Sequence, residues 1–509
     1  HFFARCPLKS CLTILRCKII ALVCAHQSLP ESMMNQKPSR PAKKPASTLD
    51  RLKAVNWPFL IFLGSLGFMA MLYGMMAMKY KLPPYAQVDH AIKAFEALGN
   101  MEDETLASSV NHIAENETPK PSFTTLDPAA GKELLLVTGG PNQDAVHCPK
   151  FGCLAWIIDR SGKVLHSWPL PLDTLFEDVK DKFDGKTELL NFYPVGIQLQ
   201  DDGSIIASFH GRNIFPYTVG IARISWDGKV LWKRIDGAHH WMHNLPGGRI
   251  AAPIQSQHPM KSFGDTMIDV RCKKVIYDEG VRIYSASGAT EQTVMLKDAL
   301  IRSDYPGLFY SLRDDCDPFH INSVDVVTPE IAPHISGAAV GDLLLSVREP
   351  SAIMLVDPKT ERIKKIVSGR TAAQHSAHFL PDGTVVAFDN QGGSKKTGGS
   401  RIVRIDLNDG SSRTIFPTAA SKPVLPFFST DGSNVAVSPD GKRLMLSVKD
   451  ESRDIEIEVD TGKALWVNKR VMDIAPFMGK SDKPVAGYFK AYGTYFIPEA
   501  QVKMLPLKR

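Results

Sequence analysis

Charge is absent from one stretch of this 509-residue chain: Trp57 to Met78, WPFLIFLGSLGFMAMLYGMMAM, has none over 22 residues. At 1.5 Å per residue, a helix of that length crosses a bilayer core of roughly 30 Å. No small-residue cleavage site follows it, which argues against a signal peptide. Basic excess is also missing from the main body. Residues 1–81 hold twelve Lys and Arg against two Asp and Glu, leaving 48 basic and 52 acidic side chains for the rest. A slightly acidic body lacks the basic surface that nucleic-acid binding needs. Lys37, Arg40, Lys43, Lys44, Arg51 and Lys53 precede the apolar run, and only Lys79 and Lys81 follow closely. The positive-inside rule then keeps the N-terminus cytoplasmic and sends the rest across the membrane.

Cysteine is scarce, and half of it is crowded into one place. Four of the eight (Cys6, Cys11, Cys17, Cys24) fall within residues 1–32, ahead of the first methionines, Met33 and Met34. Their spacing fits no zinc pattern. Residues 1–32 read as an upstream or non-native leader, and 33–56 as a basic cytoplasmic tail. Cys148 and Cys153 bracket a Pro-Lys-Phe-Gly turn and suit a small disulfide loop, whereas Cys272 and Cys316 either pair or stay free.

Helical periodicity is scarce beyond residue 98. A transmembrane helix over 57–78 is followed by a polar stalk, 79–130, with a short helix near Asp89–Leu98. From about 131 the chain alternates short Val-, Ile- and Leu-rich runs with Asp-Gly and similar turns, the mark of β-hairpins. One hairpin unit recurs six times, starting at Leu154, Ile221, Val281, Ile353, Ile402 and Ile455. A companion unit, seen as IQLQDDGSIIASF, HNLPGGRIAAPI, AVGDLLLSVR, HFLPDGTVVAFD and AVSPDGKRLMLSV, occurs between them. Two hairpins per repeat make a four-stranded sheet, and six sheets in a ring make an all-β, six-bladed β-propeller over 131–509.

Within the repeats, H-x-x-H-x-L-P-x-G appears twice, at His240–Gly248 and His375–Gly383. Blades converge on one axis, so a corner repeated in two blades brings histidines to the same mouth. Four residues stand out: His240, His320 in DPFHINS, Arg348 in LLLSVRE, and His375. Residues i and i+3 of a regular strand point to opposite faces, so of His240 and His243, or of His375 and His378, only one should face the channel unless a bulge intervenes. His112, His166, His210, His258 and His334 read as structural hydrogen-bonders. Three imidazoles suit zinc or copper, but an arginine beside them favours an anion.

HINSVDVV…GDLLLSVREPSAIMLVDPKT and QHSAHFLPDGTVVAFDNQ resemble the bacterial arylsulfotransferases that use no nucleotide sulfate donor. The likeness covers roughly Leu154–Lys469 and is specific over Asp317–Asn390. It implies a propeller outside the cytoplasm that moves a sulfuryl group from an aryl sulfate to a phenol through a histidine. His375 takes the nucleophile's place, with His320, Arg348 and His240 assisting, and Asn322, His243 and His378 are expected to touch substrate. No metal or other cofactor is expected. The partners expected are the two small substrates, the bacterial inner membrane through one helix, and an oligomer or membrane complex. Other readings are a non-catalytic envelope propeller that binds a protein or carbohydrate, and a metal-dependent hydrolase. Family members carry a cleavable signal and an N-terminal β-domain, whereas this chain has an apolar anchor and a short stalk.

Overall fold

The computed structural model describes residues 56–80, 82–83, 112–114, 117–183, 188–212, 217–258, 275–305, 307–308, 316–477 and 483–507. The expected leader, all of the basic tail but Asn56, the helix near Asp89–Leu98, and Cys272 lie outside them. The chain divides into two compact units, 1–95 and 96–509.

Among the described residues of the first unit is the helix Trp57–Tyr80. Asn56 starts it: its carboxamide oxygen accepts the Phe59 N–H at 3.2 Å, satisfying one of the donors a helix leaves open at its first turn. Residues Trp57–Ala77 are long and apolar enough to cross a membrane, and no part of the most apolar window is buried by protein. Exposed Phe59, Ile61, Phe62, Phe68 and Met69 are costly in water and at home in lipid.

The second unit is a six-bladed propeller. Blades 2 to 6 have inner strands at Phe192–Leu199, His243–Leu245, Ile321–Val326, His375–Phe379 and Asn434–Val437, each followed in order by three antiparallel strands. Blade 1 is composite. Its inner strand is Thr494–Ile497, from the far end of the chain, paired with Leu134–Thr138. This explains the companion count: six outer hairpins were legible but only five inner ones, because the sixth is split between the two ends of the propeller sequence. The boundary expected at 131 also moves. Ser122–Thr125 pairs with Ala464–Lys469 as a fifth strand of blade 6, so part of the expected stalk belongs to the propeller.

The turns between strands repeat one local device. Asp202, Asp382 and Asp440 each accept, through Oδ1, the N–H two residues on, at 3.0, 3.1 and 3.1 Å. The glycine after each aspartate has φ of +79°, +79° and +70°, which a side chain would strain. The central strands, such as Leu343–Val347 and Val385–Asp389, are buried along their whole length because each blade is covered by a neighbour on both faces. The core is accordingly six apolar seams, one for each pair of adjacent blades. Between blades 6 and 1 the apolar seam is joined by a charge cluster. Arg160 and Arg443 hold Glu456 at 3.0 and 2.8 Å, and Arg443 pushes the Glu133 carboxyl down to about 2. Cys148 and Cys153 form the expected disulfide, and Cys316 is also disulfide-bonded.

Candidate active site

Among the described residues, two cavities lie at opposite ends of the inner strands. The upper one, about 230 Å³, is lined by residues at the starts of inner strands and just past the ends of second strands. The lower one, about 720 Å³, is lined by residues at the opposite ends of the inner strands.

The upper cavity gathers His240, His320, Arg348 and His375 from blades 3, 4 and 5. Ring centroids lie 5.0 Å apart for His240 and His320, 6.2 Å for His320 and His375, and 6.4 Å for His240 and His375. The backbone arranges this by kinking. His240, His320 and Ser376 have φ of +52°, +54° and +53° where the inner strands begin, a left-handed conformation that costs non-glycine residues energy. The ladder of blade 5 shifts register between His375 and His378. The kinks break strict alternation, so the first and second histidines of each repeated corner both line axial cavities, at opposite ends. His243 and His378 therefore sit in the lower cavity, apart from the other four. Asn322 lines neither cavity. It is fully buried, its amide donating to Gln374 O at 2.8 Å and its Oδ1 accepting the Ser376 N–H at 3.3 Å, which stitches blade 4 to blade 5.

The tautomer of His375 follows from its neighbours. Asn390 donates both amide hydrogens, to Ser429 O at 3.1 Å and Gly432 O at 2.9 Å, so its Oδ1 must be the atom 2.8 Å from His375 Nδ1. Ala373 O is a second acceptor 3.0 Å from the same nitrogen. Nδ1 therefore carries the hydrogen. Nε2 carries the lone pair, and the Gly432 N–H points to it from 3.3 Å. Burial, then the neighbouring His320 and Arg348, holds the ring well below its ordinary pKa and keeps it neutral.

His320 is anchored differently. Its Nδ1 lies 2.6 Å from Asp317 Oδ2 and 3.2 Å from the Tyr217 hydroxyl. Asp317 shares Gln255 Nε2 with the buried Glu279, at 3.4 and 3.1 Å. Burial, then the nearby Asp317 charge, pushes Glu279 well above the carboxylate range. Burial also acts on Asp317, but the charge and hydrogen bond of His320 outweigh it and hold this carboxyl low. Asp317 is the ionised member of the pair. His240 has no such carboxylate. Its Nδ1 lies 2.6 Å from that of His239, and burial followed by the neighbouring histidines keeps it well below its usual range.

Arg348 is gripped by Glu349 through Nε at 2.8 Å and Nη2 at 2.5 Å, which sets its plane. Lys449 also lines the cavity, paired with Asp431, and burial pushes its ammonium down to about 8. Tyr193, Tyr217, Trp241 and Tyr492 supply aromatic walls. His240, His320 and His375 have ligand atoms within 4.8 Å of one another and could hold a metal, as could His210, His239 and His240. In the first of these sets, Arg348 and Lys449 oppose a dication and favour an anion.

Sequence reasoning missed His210, Tyr217, Asp317, Asn390 and Lys449. Arg348, Asn390 and Lys449 are each the first residue after the second strand of their blade, over Leu343–Val347, Val385–Asp389 and Arg443–Val448. Aligning blades on that position identifies the last two from the first.

This six-bladed propeller turns imidazoles, a guanidinium and an ammonium inward around one small cavity, a set of donors that can hold an oxyanion. Residues 196–470 match the model of the arylsulfotransferase (ASST) family, and the chain belongs to that family. No curated protein matches the chain. Among solved structures, it is similar to a protein of unknown function from Bacteroides caccae, at 13% identity and a TM-score of 0.40 over 72% of this chain and 100% of that one. It is also similar to a putative 6-phosphogluconolactonase from Bacteroides fragilis, at 12% identity and TM-score 0.37 over 73% and 99% of the two chains. A virginiamycin B lyase from Staphylococcus aureus is similar at 13% and 0.31, over 54% and 69%. Likenesses this loose say nothing of chemistry.

Proposed function

We propose that this protein transfers a sulfuryl group from an aryl sulfate to a phenolic acceptor through a sulfohistidine at His375. The observation that carries the reading is the Nδ1 lock on His375, which leaves the lone pair on Nε2, met by the Gly432 N–H at 3.3 Å, in a residue lining a cavity with two cations. Family membership supports the reaction class.

Nε2 attacks sulfur as the bond from sulfur to the phenolic oxygen breaks. The bond electrons leave with that oxygen, and His320 gives the phenolate a proton. As in phosphoryl transfer, the negative charge rests on equatorial oxygens in a loose transition state. Arg348, Lys449 and the N–H groups of the assisting imidazoles stabilise it. In the second half, His320, now neutral, takes the proton of the acceptor phenol, whose oxygen attacks sulfur and frees His375. One proton leaves and one returns, so the cycle balances. The small cavity favours donor and acceptor entering in turn, which gives ping-pong kinetics.

Asn322 acts here as a positioning residue for His375's strand rather than a substrate contact. We place the propeller in the bacterial periplasm, held to the inner membrane by the Trp57–Tyr80 helix. The test is intact mass spectrometry after mixing with 4-nitrophenyl sulfate and no acceptor. One added SO3 on the peptide containing His375 is expected; nitrophenolate release without any labelled histidine excludes the mechanism. Release that instead needs added zinc would point to the three-histidine metal reading.

A further inference from the structure

The second histidines of the repeated corner have no part in that chemistry. His243 Nδ1 lies 2.8 Å from Asp325 Oδ1, and His378 Nδ1 lies 3.4 Å from Oδ2. The same carboxylate accepts the N–H groups of Val326 at 2.8 Å and Phe379 at 2.9 Å. Four donors hold it ionised. The Ser376 hydroxyl already accepts from Asn434 Nδ2 and the Val435 N–H, each at 3.0 Å. Its own proton turns to His378 Nε2 at 3.1 Å, the nearer of its two acceptors.

His243 is left with Nε2 free of any protein partner among the described residues, and its side chain is 32% exposed on the lower cavity. Burial disfavours its charge, but Asp325 outweighs burial and raises its pKa. The apolar walls come from Ile197, Leu199, Phe379, Val437, Phe496 and Pro498. At about 720 Å³ the cavity has the size of a small-molecule site. It shares no lining residue with the upper cavity. Trp241 lines only the upper one, with its indole N–H tied to Tyr492 O at 3.0 Å, and Tyr495 lines only the lower.

We propose that the lower cavity is a second binding site, for an uncharged, ring-bearing molecule whose single hydroxyl meets His243 Nε2. The ring suits the apolar walls. The charge follows from the lining: the one carboxylate, Asp325, already has His243 and His378 against it, and no Lys or Arg lines the cavity, so an anion meets no fixed cation there. A hydroxyl donates to the lone pair when His243 is neutral and accepts from Nε2–H when it is charged.

The test uses phenol as the probe and the His375→Ala protein saturated with phenyl sulfate, so that the upper cavity is filled and no transfer occurs. Calorimetry is expected to show one further phenol bound, with the His243 ring resonances shifting. Benzoate, the same ring with a charge, should bind about tenfold more weakly or not at all. His243→Leu should weaken phenol about tenfold. Val437→Trp, which fills the cavity and leaves the Asp325 cluster alone, should abolish binding even if the first variant fails to fold. Phenol fully excluded by phenyl sulfate, or bound equally by wild type and Val437→Trp, overturns the proposal. Neither readout depends on sulfuryl transfer, so a protein inactive in transfer but binding phenol in this way refutes only the reading of the upper site.

Discussion

At the upper end of the channel two full cations, Arg348 and Lys449, line the cavity with Glu349 and Asp431 against them; the lower end has no Lys or Arg, only Asp325 with His243 and His378. Both ends draw on the same inner strands, and the corners of blades 3 and 5 feed both. The difference lies in what stands behind each imidazole. His375 faces a neutral amide and a carbonyl, so it stays neutral with the lone pair on Nε2. His243 faces a buried carboxylate and gains charge. A histidine's position along the strand selects its cavity, and its backing group selects its chemistry.

The comparison breaks most sharply at His375. His375→Ala should cut nitrophenolate release by about a thousandfold or more while circular dichroism stays native. Retained transfer removes the nucleophile. At the other end, Asp325→Asn removes the carboxylate that supports the charge of His243. It should cost about 2–3 kcal/mol in denaturant unfolding, less than a fully buried pair because His243 is partly exposed. The pH dependence has a definite sign. His243's raised pKa stabilises the fold below its ordinary value near 6.5 and loses this as pH climbs through the raised value. The midpoint of thermal unfolding should therefore fall over that interval, and the slope should flatten in His243→Gln. Asp325, held low, contributes above its ordinary value near 3.9 and loses its contribution only in acid.

Asn390→Ala should lower kcat by about 10- to 100-fold with KM little changed, because it frees the tautomer of His375 without removing a substrate contact. An unchanged kcat would show that Ala373 O suffices. The smallest effect is expected at Lys449. Its ammonium, pushed down to about 8, is charged below that pH and neutral above. KM for 4-nitrophenyl sulfate should rise about threefold as pH passes 8, and Lys449→Met should remove the inflection.

The ring was legible because its signals are local. An aspartate followed by glycine writes several of the turns into adjacent residues, and six outer hairpins count the blades. The split blade was not legible, since nothing within TYFI at Thr494–Ile497 names LLLVT at Leu134–Thr138 as its partner. The cluster of His240, His320, Arg348 and His375 could be anticipated from repetition. The backing groups could not. Asn390, Asp317 and Lys449 act through register, and the left-handed kinks at His240, His320 and Ser376 overturn the alternation rule used to sort the histidines.

The composite first blade has a consequence for biogenesis. The closing strand, Thr494–Ile497, is among the last parts of the propeller sequence to be made, and Tyr492, a wall of the upper cavity, precedes it by two residues. A nascent chain carries an open arc with an unpaired edge at Leu134–Thr138 until those residues emerge. Ring closure and completion of the upper cavity's wall are then one event, so a chain that ends before Tyr492 leaves both the ring and that cavity open.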